Sequence, residues 1–305
     1  MITCVQHNHS GTHLLSGTSA GTVQLWNAET HKHVTTFAQE HAVSRDLRAI
    51  AISRDGEIFA SGGDDRHVIV WDTARGSLVS RLSDHLGHVT DVSIPGWSRD
   101  LLFSASHDGT AKCWDLRARS SRAPIQSFKS RGAINGVASP AAGYVVTCSS
   151  DGSMSVYDVR AGEQAVTTVT GDVVSGMTVS LSSPFIVGLG SRSVFLCDLG
   201  TGLELERRVC GSATSGISFF DNDSKVVVSA GHDLFWYQVG GEKSGRRSLG
   251  GKVGSFSVDN RKGTKELAVV VGGELEWIRV DGSEGPGGSE GPGGSEGPEV
   301  SSGQP

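Results

Sequence analysis

FASGGDDRHVIVWD, residues 59–72, carries the pattern that decides the fold: a strand of small residues, a tight polar turn, and a second strand ending in an aromatic and Asp. The unit returns as LLSGTSAGTVQLWN (14–27), LFSASHDGTAKCWD (102–115), VVTCSSDGSMSVYD (145–158), FIVGLGSRSVFLCD (185–198), VVVSAGHDLFWYQ (226–238) and LAVVVGGELEWIR (267–279). Measured at Trp26, Trp71, Trp114, Tyr157, Cys197, Trp236 and Trp277, the spacings are 45, 43, 43, 40, 39 and 41 residues. A small four-stranded sheet cannot bury both of its faces alone and must stack on neighbours, so this period predicts an all-β, seven-bladed propeller.

Composition agrees with that architecture. A chain of 305 residues would ordinarily suggest two domains, but a ring of repeats is one cooperative unit. Hydrophobic content is 37%, and 42 glycines suit the tight turns that short antiparallel strands need. The formal net charge of −6 argues against a globally basic nucleic-acid binder. Five cysteines, Cys4, Cys113, Cys148, Cys197 and Cys210, fall mostly inside strands without metal or redox spacing, which reads as buried thiols in a reducing compartment. With no signal peptide, bilayer-length apolar run or lipidation motif, the expectation is cytoplasm or nucleus and no membrane. From Gly282 the composition changes to GSEGPGGSEGPGGSEGPEVSSGQP, too poor in apolar residues to offset chain entropy. The expected division is therefore a propeller over 1–281 and a disordered tail over 282–305.

Each blade reads as strands a to d. Ile2 to His7 already looks like strand a of blade one, and blade seven reaches strand c near Trp277 before the tail begins. Blade seven is thus expected to lack its outer strand, leaving an edge open to pairing. Blade five, FIVGLGSRSVFLCDLGTGLELERRV, keeps its strand lengths while losing the polar landmarks of its neighbours, so packing is expected to hold it.

In blade two, His41, Ser61, Asp65 and Trp71 stand at the spacing of the structural hydrogen-bond tetrad of WD-repeat proteins, and blade three repeats it with His85, Ser104, Asp108 and Trp114. The carboxylate is expected to accept from imidazole and backbone, the hydroxyl to relay, and the indole N–H to donate. The same residue types make a hydrolase triad, but the Ser lies mid-strand without a nucleophile elbow. His7, His9 and His13 alternate along a strand without a fourth zinc ligand and read as solvated strand-end residues. No metal or cofactor site is expected. Two groups are candidates for binding protein partners. Arg45, Asp64, Arg66 and His107 fall in b–c turns and d–a loops, which share one mouth of a propeller channel. Arg117, Arg119 and Arg122, with Lys112, Lys129 and Arg131, make a basic run across the c–d connection of blade three that would suit an acidic surface. Aromatics that could stack bases are scarce there, so direct nucleic-acid binding is not expected.

CWDLRARSSRAPIQSF (113–128), SDGSMSVYDVRAGE (150–163) and SGGDDRHVIVWDTARGSLVSRL (61–82) carry a closer likeness: this stretch resembles the mitogen-activated protein kinase organiser family of WD-repeat proteins. The likeness is clear from Leu14 to Glu163, weaker to Val280 and absent from the tail. It implies a non-enzymatic scaffold, monomeric within larger complexes, that assembles MAP kinase modules and joins spliceosomal proteins. Trp114-Asp115-Leu116-Arg117 and Tyr157-Asp158-Val159-Arg160 also look like the WDxR boxes of substrate receptors for cullin-RING ubiquitin ligases, the alternative role.

Overall fold

The computed structural model describes residues 1–37, 45–117, 123–180, 183–220, 223–239, 241, 243–259 and 266–279. His41, Arg119, Arg122 and the segment 282–305 lie outside the described residues. The described chain forms seven antiparallel sheets, six of four strands and one of three, each ordered as in the sequence. Blade two shows the plan: strand a Leu47–Ile52, b Ile58–Gly63, c Val68–Asp72 and d Ser77–Leu82. The first strands of successive blades touch one another all the way round, Ile2–His7 of blade one meeting Val253–Val258 of blade seven, so the ring is closed.

Burial follows position in the blade. Strand b is enclosed on both faces, and Leu14, Leu15, Phe59 and Phe103 have no exposed surface, whereas strand d faces solvent and Val34 is 53% exposed. Seven apolar clusters lie largely between blades; that between blades one and two joins Phe37 and Leu47 to Phe59 and Trp71. Crowding near the axis explains the small residues of strand b. A Cβ on Gly62 would lie 2.5 Å from Val89 Cγ1 of the next blade.

Polar side chains on the inner strands then stitch blade to blade. Thr90 Oγ1 donates to the Ile134 carbonyl at 2.7 Å, Asn135 Nδ2 to Val174 at 2.7 Å and Ser215 Oγ to Val253 at 2.8 Å. Asp91 accepts from the Val92 N–H and, across the seam, from the Val137 N–H at 2.9 Å each. Burial pushes the Asp91 carboxyl up to about 7 in spite of those two donors.

Among the described residues, blades one and seven meet without exchanging a strand. The Ile2 N–H donates to Gly273 O and the His7 N–H to Ser257 Oγ, both at 2.9 Å, while Val5 and Leu14 pack on Ala268 and Val270. His7 is 4% exposed, so it is a seam residue and not the solvated strand end that the sequence suggested. Strand c of blade seven, Glu274–Arg279, pairs with Glu266–Val271, and among the described residues no strand pairs with its other edge.

Two readings of the repeat are corrected. The position equivalent to Trp71, which pairs with Phe59, is Tyr237 in blade six and Ile278 in blade seven. Trp236 and Trp277 stand one residue earlier and so on the opposite sheet face, because side chains alternate along a strand. Blade five also keeps a polar anchor, with the residue types exchanged. Asp172, in the loop entering the blade, accepts from the Ser191 and Ser193 hydroxyls at 3.0 Å.

Candidate protein-binding rim and its polar anchors

Blade three brings its four predicted tetrad residues together. Trp114 Nε1 donates to Ser104 Oγ at 2.8 Å, Ser104 Oγ lies 2.7 Å from His85 Nε2, and His85 Nδ1 lies 3.0 Å from Asp108 Oδ2. The carboxylate also accepts from the Leu86 N–H at 2.8 Å and the Thr110 N–H at 2.9 Å. Burial works against the Asp108 charge, but Thr110, Leu86 and His85 outweigh it and bring the carboxyl down to about 2. Burial likewise lowers the His85 imidazole below its ordinary range, against the pull of Asp108. A neutral imidazole beside an ionised carboxylate fixes every donor: indole to Ser104, Ser104 to Nε2, and Nδ1–H to Asp108.

That proton order is the order of a hydrolytic triad. Access separates the two. Ser104 has no exposed surface and the His85 side chain is 1% exposed, so no substrate carbonyl reaches the hydroxyl. Blade two has the same link from Trp71 Nε1 to Ser61 Oγ at 3.0 Å, and Asp65 accepts from the His67 N–H at 3.2 Å; its His41 lies outside the described residues. Blade one keeps the Trp26 to Ser16 bond, at 2.8 Å. In blade four the Tyr157 hydroxyl reaches the Lys129 carbonyl, while Asp151 takes bonds from Ser130 and Ser153.

These anchors hold the b–c turns in one conformation, and the turns carry the rim. Asp64 accepts from Arg48 and lies 3.5 Å from His88 Nδ1; the Arg48 hydrogen bond, opposed by burial and helped by the His88 and Arg45 charges, lowers its carboxyl. The rings of His88 and His107 meet edge to face at 5.9 Å. Arg45, Asp64 and His107 therefore share one mouth of the ring, and Arg66 extends from the same turn as Asp64. Arg48 and His88 join them, which the sequence reading missed; their place at the strand-a end beside the turn is the signal that would have found them.

Arg66 has a backbone φ of +69° and is exposed. Its N–H closes the turn onto Gly63 O as those of Gly21, Gly109 and Gly152 close theirs onto Thr18, Ser106 and Ser149. The other three turns thus place a glycine where blade two places an arginine, at a strain of about 1 kcal/mol.

The basic connection is less basic than its sequence. Lys112 is 8% exposed and its Nζ lies 2.5 Å from Asp84 Oδ2, since its side chain runs along the face of strand c and not into the loop. Arg117 folds back on its own Asp115 through Nε at 3.0 Å and Nη2 at 2.8 Å. Arg119 and Arg122 lie outside the described residues. Among the described residues no group of three or more His, Cys, Asp or Glu could hold a metal ion. No disulfide joins the five cysteines, all of which are buried, and burial pushes the Cys4, Cys113 and Cys197 thiols up to about 12.

A ring of seven antiparallel units, six of four strands and one of three, with indole–serine anchors in the first three blades, defines a WD-repeat propeller. The family described as WD domain, G-beta repeat matches residues 1–27, 31–72, 76–115 and 122–158, and the chain is a WD40 repeat protein. The last three matched units each begin shortly before the outer strand of one blade and end with strand c of the next. The chain is 29% identical over 160 residues to the Periodic tryptophan protein 2 homolog of Dictyostelium discoideum, covering 51% of this chain and 17% of that protein. It is 25% identical over 152 residues to the pre-mRNA-splicing factor cwf17 of Schizosaccharomyces pombe, covering 50% and 43%. The chain spans less than half the length of either relative. In fold it is similar to the crystal structure of the Cps50 (Swd1) β-propeller domain of Myceliophteria thermophila, with a TM-score of 0.80 at 16% identity over 92% of this chain and 96% of that one.

Proposed function

We propose that this propeller is a non-catalytic scaffold that holds partner proteins on the rim formed by Arg45, Arg48, Asp64, Arg66, His88 and His107. The observation that carries the reading is Arg66. A strained backbone persists only where the surrounding structure enforces it, and strain at an exposed recognition turn points to a side chain kept for contact. With Arg45 and Arg48 beside it, the rim suits an acidic segment of a partner. The enclosure of Ser104 and His85 supports a non-enzymatic role.

The complexes we infer are those of pre-mRNA splicing, for which the likeness to a splicing factor speaks, and MAP kinase modules, for which the family resemblance speaks. The first favours the nucleus and the second the cytoplasm, with the chain one copy within a larger complex. A ligase receptor role draws less support, because Arg117 of its box is engaged by Asp115. Arg117, Arg119 and Arg122 form a second candidate contact for an acidic surface.

Copurification of the tagged chain followed by mass spectrometry tests this reading. Spliceosomal proteins, kinases and ligase adaptors are disjoint partner sets. Arg66→Gly together with Arg45→Glu should remove partners without lowering the Tm, and Arg117→Glu with its two neighbours reversed tests the second surface. Unchanged partner sets in both variants would refute the assignment of these surfaces.

A further inference from the structure

The outer edge of blade seven has a partner chemistry for which blade two, joined at one position or the other by blades one, three, five and six, gives the precedent. In each of the other six blades, strand d pairs antiparallel with strand c. The residue opposite the first apolar position of strand c is apolar in three of them, Phe37 against Val23, Leu82 against Val68 and Phe128 against Ala111, and is Thr168, Arg208 or Arg247 in the others. The residue opposite the next position is an arginine in three blades, Arg81 against Ile69, Arg207 against Phe195 and Arg246 against Phe235, and a hydroxyl residue, Thr36, Ser127 or Thr167, in the others. By the pairing of strands b and c, Leu275 holds the first of these positions in blade seven and Glu276 the second. Glu276 and Glu274 are exposed. An arginine in the place that blades two, five and six give it would therefore stand directly opposite a carboxylate, a favourable cross-strand pair.

His31 marks the same place from the other side. It lies in the c–d turn of blade one with φ +57°, where blades two, four and five have Gly76, Gly162 and Gly202 with φ of +64°, +72° and +72°. Those glycines sit against the outer strand of the preceding blade. A Cβ on Gly76 would lie 3.3 Å from Phe37 Cε1, on Gly162 2.7 Å from Gln126 Nε2, and on Gly202 2.5 Å from Val166 Cγ1. Blade one instead accommodates a whole imidazole there. The ring stacks on Trp277 at 4.3 Å and 12°, with Nε2 3.6 Å from Glu266 Oε2. His31 thus fills space that an outer strand fills elsewhere, and it is 39% exposed and able to swing aside.

We propose that the outer edge of Glu274–Arg279 is the docking site for an extended basic segment of a partner protein. That segment adds as the antiparallel fourth strand of blade seven, with Arg or Lys opposite Glu276 and an apolar residue opposite Leu275, while His31 leaves Trp277. Charge selects this occupant. The chain's own segment 282–305 contains no Lys or Arg, has four Glu, and has Pro286, Pro292 and Pro298, which cannot donate to a ladder. A second copy paired edge to edge would set glutamates against glutamates. The site lies on the circumference, away from the rim, so either surface can fail without the other.

The test uses the full chain and a short fluorescent peptide carrying the Ser77–Leu82 sequence SLVSRL. Anisotropy should show binding that weakens about tenfold when the peptide arginine is changed to Glu, an effect of about 1.4 kcal/mol. Glu276→Lys should reverse that preference, His31→Gly should tighten binding severalfold, and Arg66→Gly on the rim should leave it unchanged. Hydrogen exchange should show the alternate amides of Leu275–Ile278 that point away from strand b protected only with peptide present. No binding, equal binding of both peptides, or protection in the chain alone that is lost on deleting 282–305 would overturn the proposal.

Discussion

Asp172 and Ser191 form in blade five the mirror of the contact that His85 and Asp108 form in blade three. The carboxylate comes from the loop entering the blade and the small donor from the b–c turn, at 3.0 Å, in place of a loop imidazole and a turn carboxylate at 3.0 Å. What the site needs is one donor and one acceptor across the loop and the turn, and either side can supply either.

Exchange of the two residues tests that equivalence. Asp172→Ala should destabilise the protein by about 1 kcal/mol by leaving the buried Ser193 hydroxyl without its acceptor, the exposed Ser191 hydroxyl turning to water. Asp172→Ser combined with Ser191→Asp should recover a large part of the loss in urea unfolding. A double variant no better than the sum of its single variants would show that the carboxylate is needed on the loop side.

Asp108 is the most connected carboxylate of the anchors, and its removal strands the His85, Leu86 and Thr110 donors together. Asp108→Ala should cost about 2–4 kcal/mol, whereas Glu163→Ala on an exposed outer strand should stay within about 0.5 kcal/mol. Equal melting temperatures for the two would show that the tetrad contributes nothing to blade three.

Acid should act through His85. Its folded-state pKa lies below the ordinary 6.5, so between the two values the unfolded chain binds the extra proton and stability rises with pH. The contribution is therefore full above about pH 6.5 and is lost as the pH falls below it. A protonated Nε2 would also deprive the buried Ser104 hydroxyl of its acceptor. The Tm of the wild type should fall more steeply from pH 7 to pH 5 than that of His85→Asn, whose amide can still accept from Ser104 and donate to Asp108; parallel curves would count against the neutral imidazole.

Asp91 should act in the opposite sense. Its folded carboxyl holds the proton up to about 7, against 3.8 when unfolded, so in that window the folded state binds more protons and stability falls as pH rises. Asp91→Asn removes this decline. Relative to the variant, the wild type should lose stability between pH 4 and pH 7 in denaturant titrations, and a difference independent of pH would place an ionised carboxylate at the seam.

The blade count, the plan of strands a to d within a blade and the tetrad of blade three were legible because each rests on local pattern: a forty-residue period, alternation along a strand, and turn residues at fixed offsets. The chain by itself determined that Ser104, Asp108 and Trp114 belong to one unit, since they lie within eleven residues of each other on adjacent strands. It did not show that Trp236 and Trp277 face the other way, because a one-residue shift is invisible to spacing yet reverses a strand's faces. Nor did it show the partnership of Asp172 with Ser191, the retreat of Lys112 onto Asp84, the joining of Arg48 and His88 to the rim, or the stacking of His31 on Trp277. Each of those is a contact between different strands, loops or blades. Only closure of the ring decides which loop lies beside which turn, and a hydrogen bond or ring stack depends on that distance and not on separation along the chain.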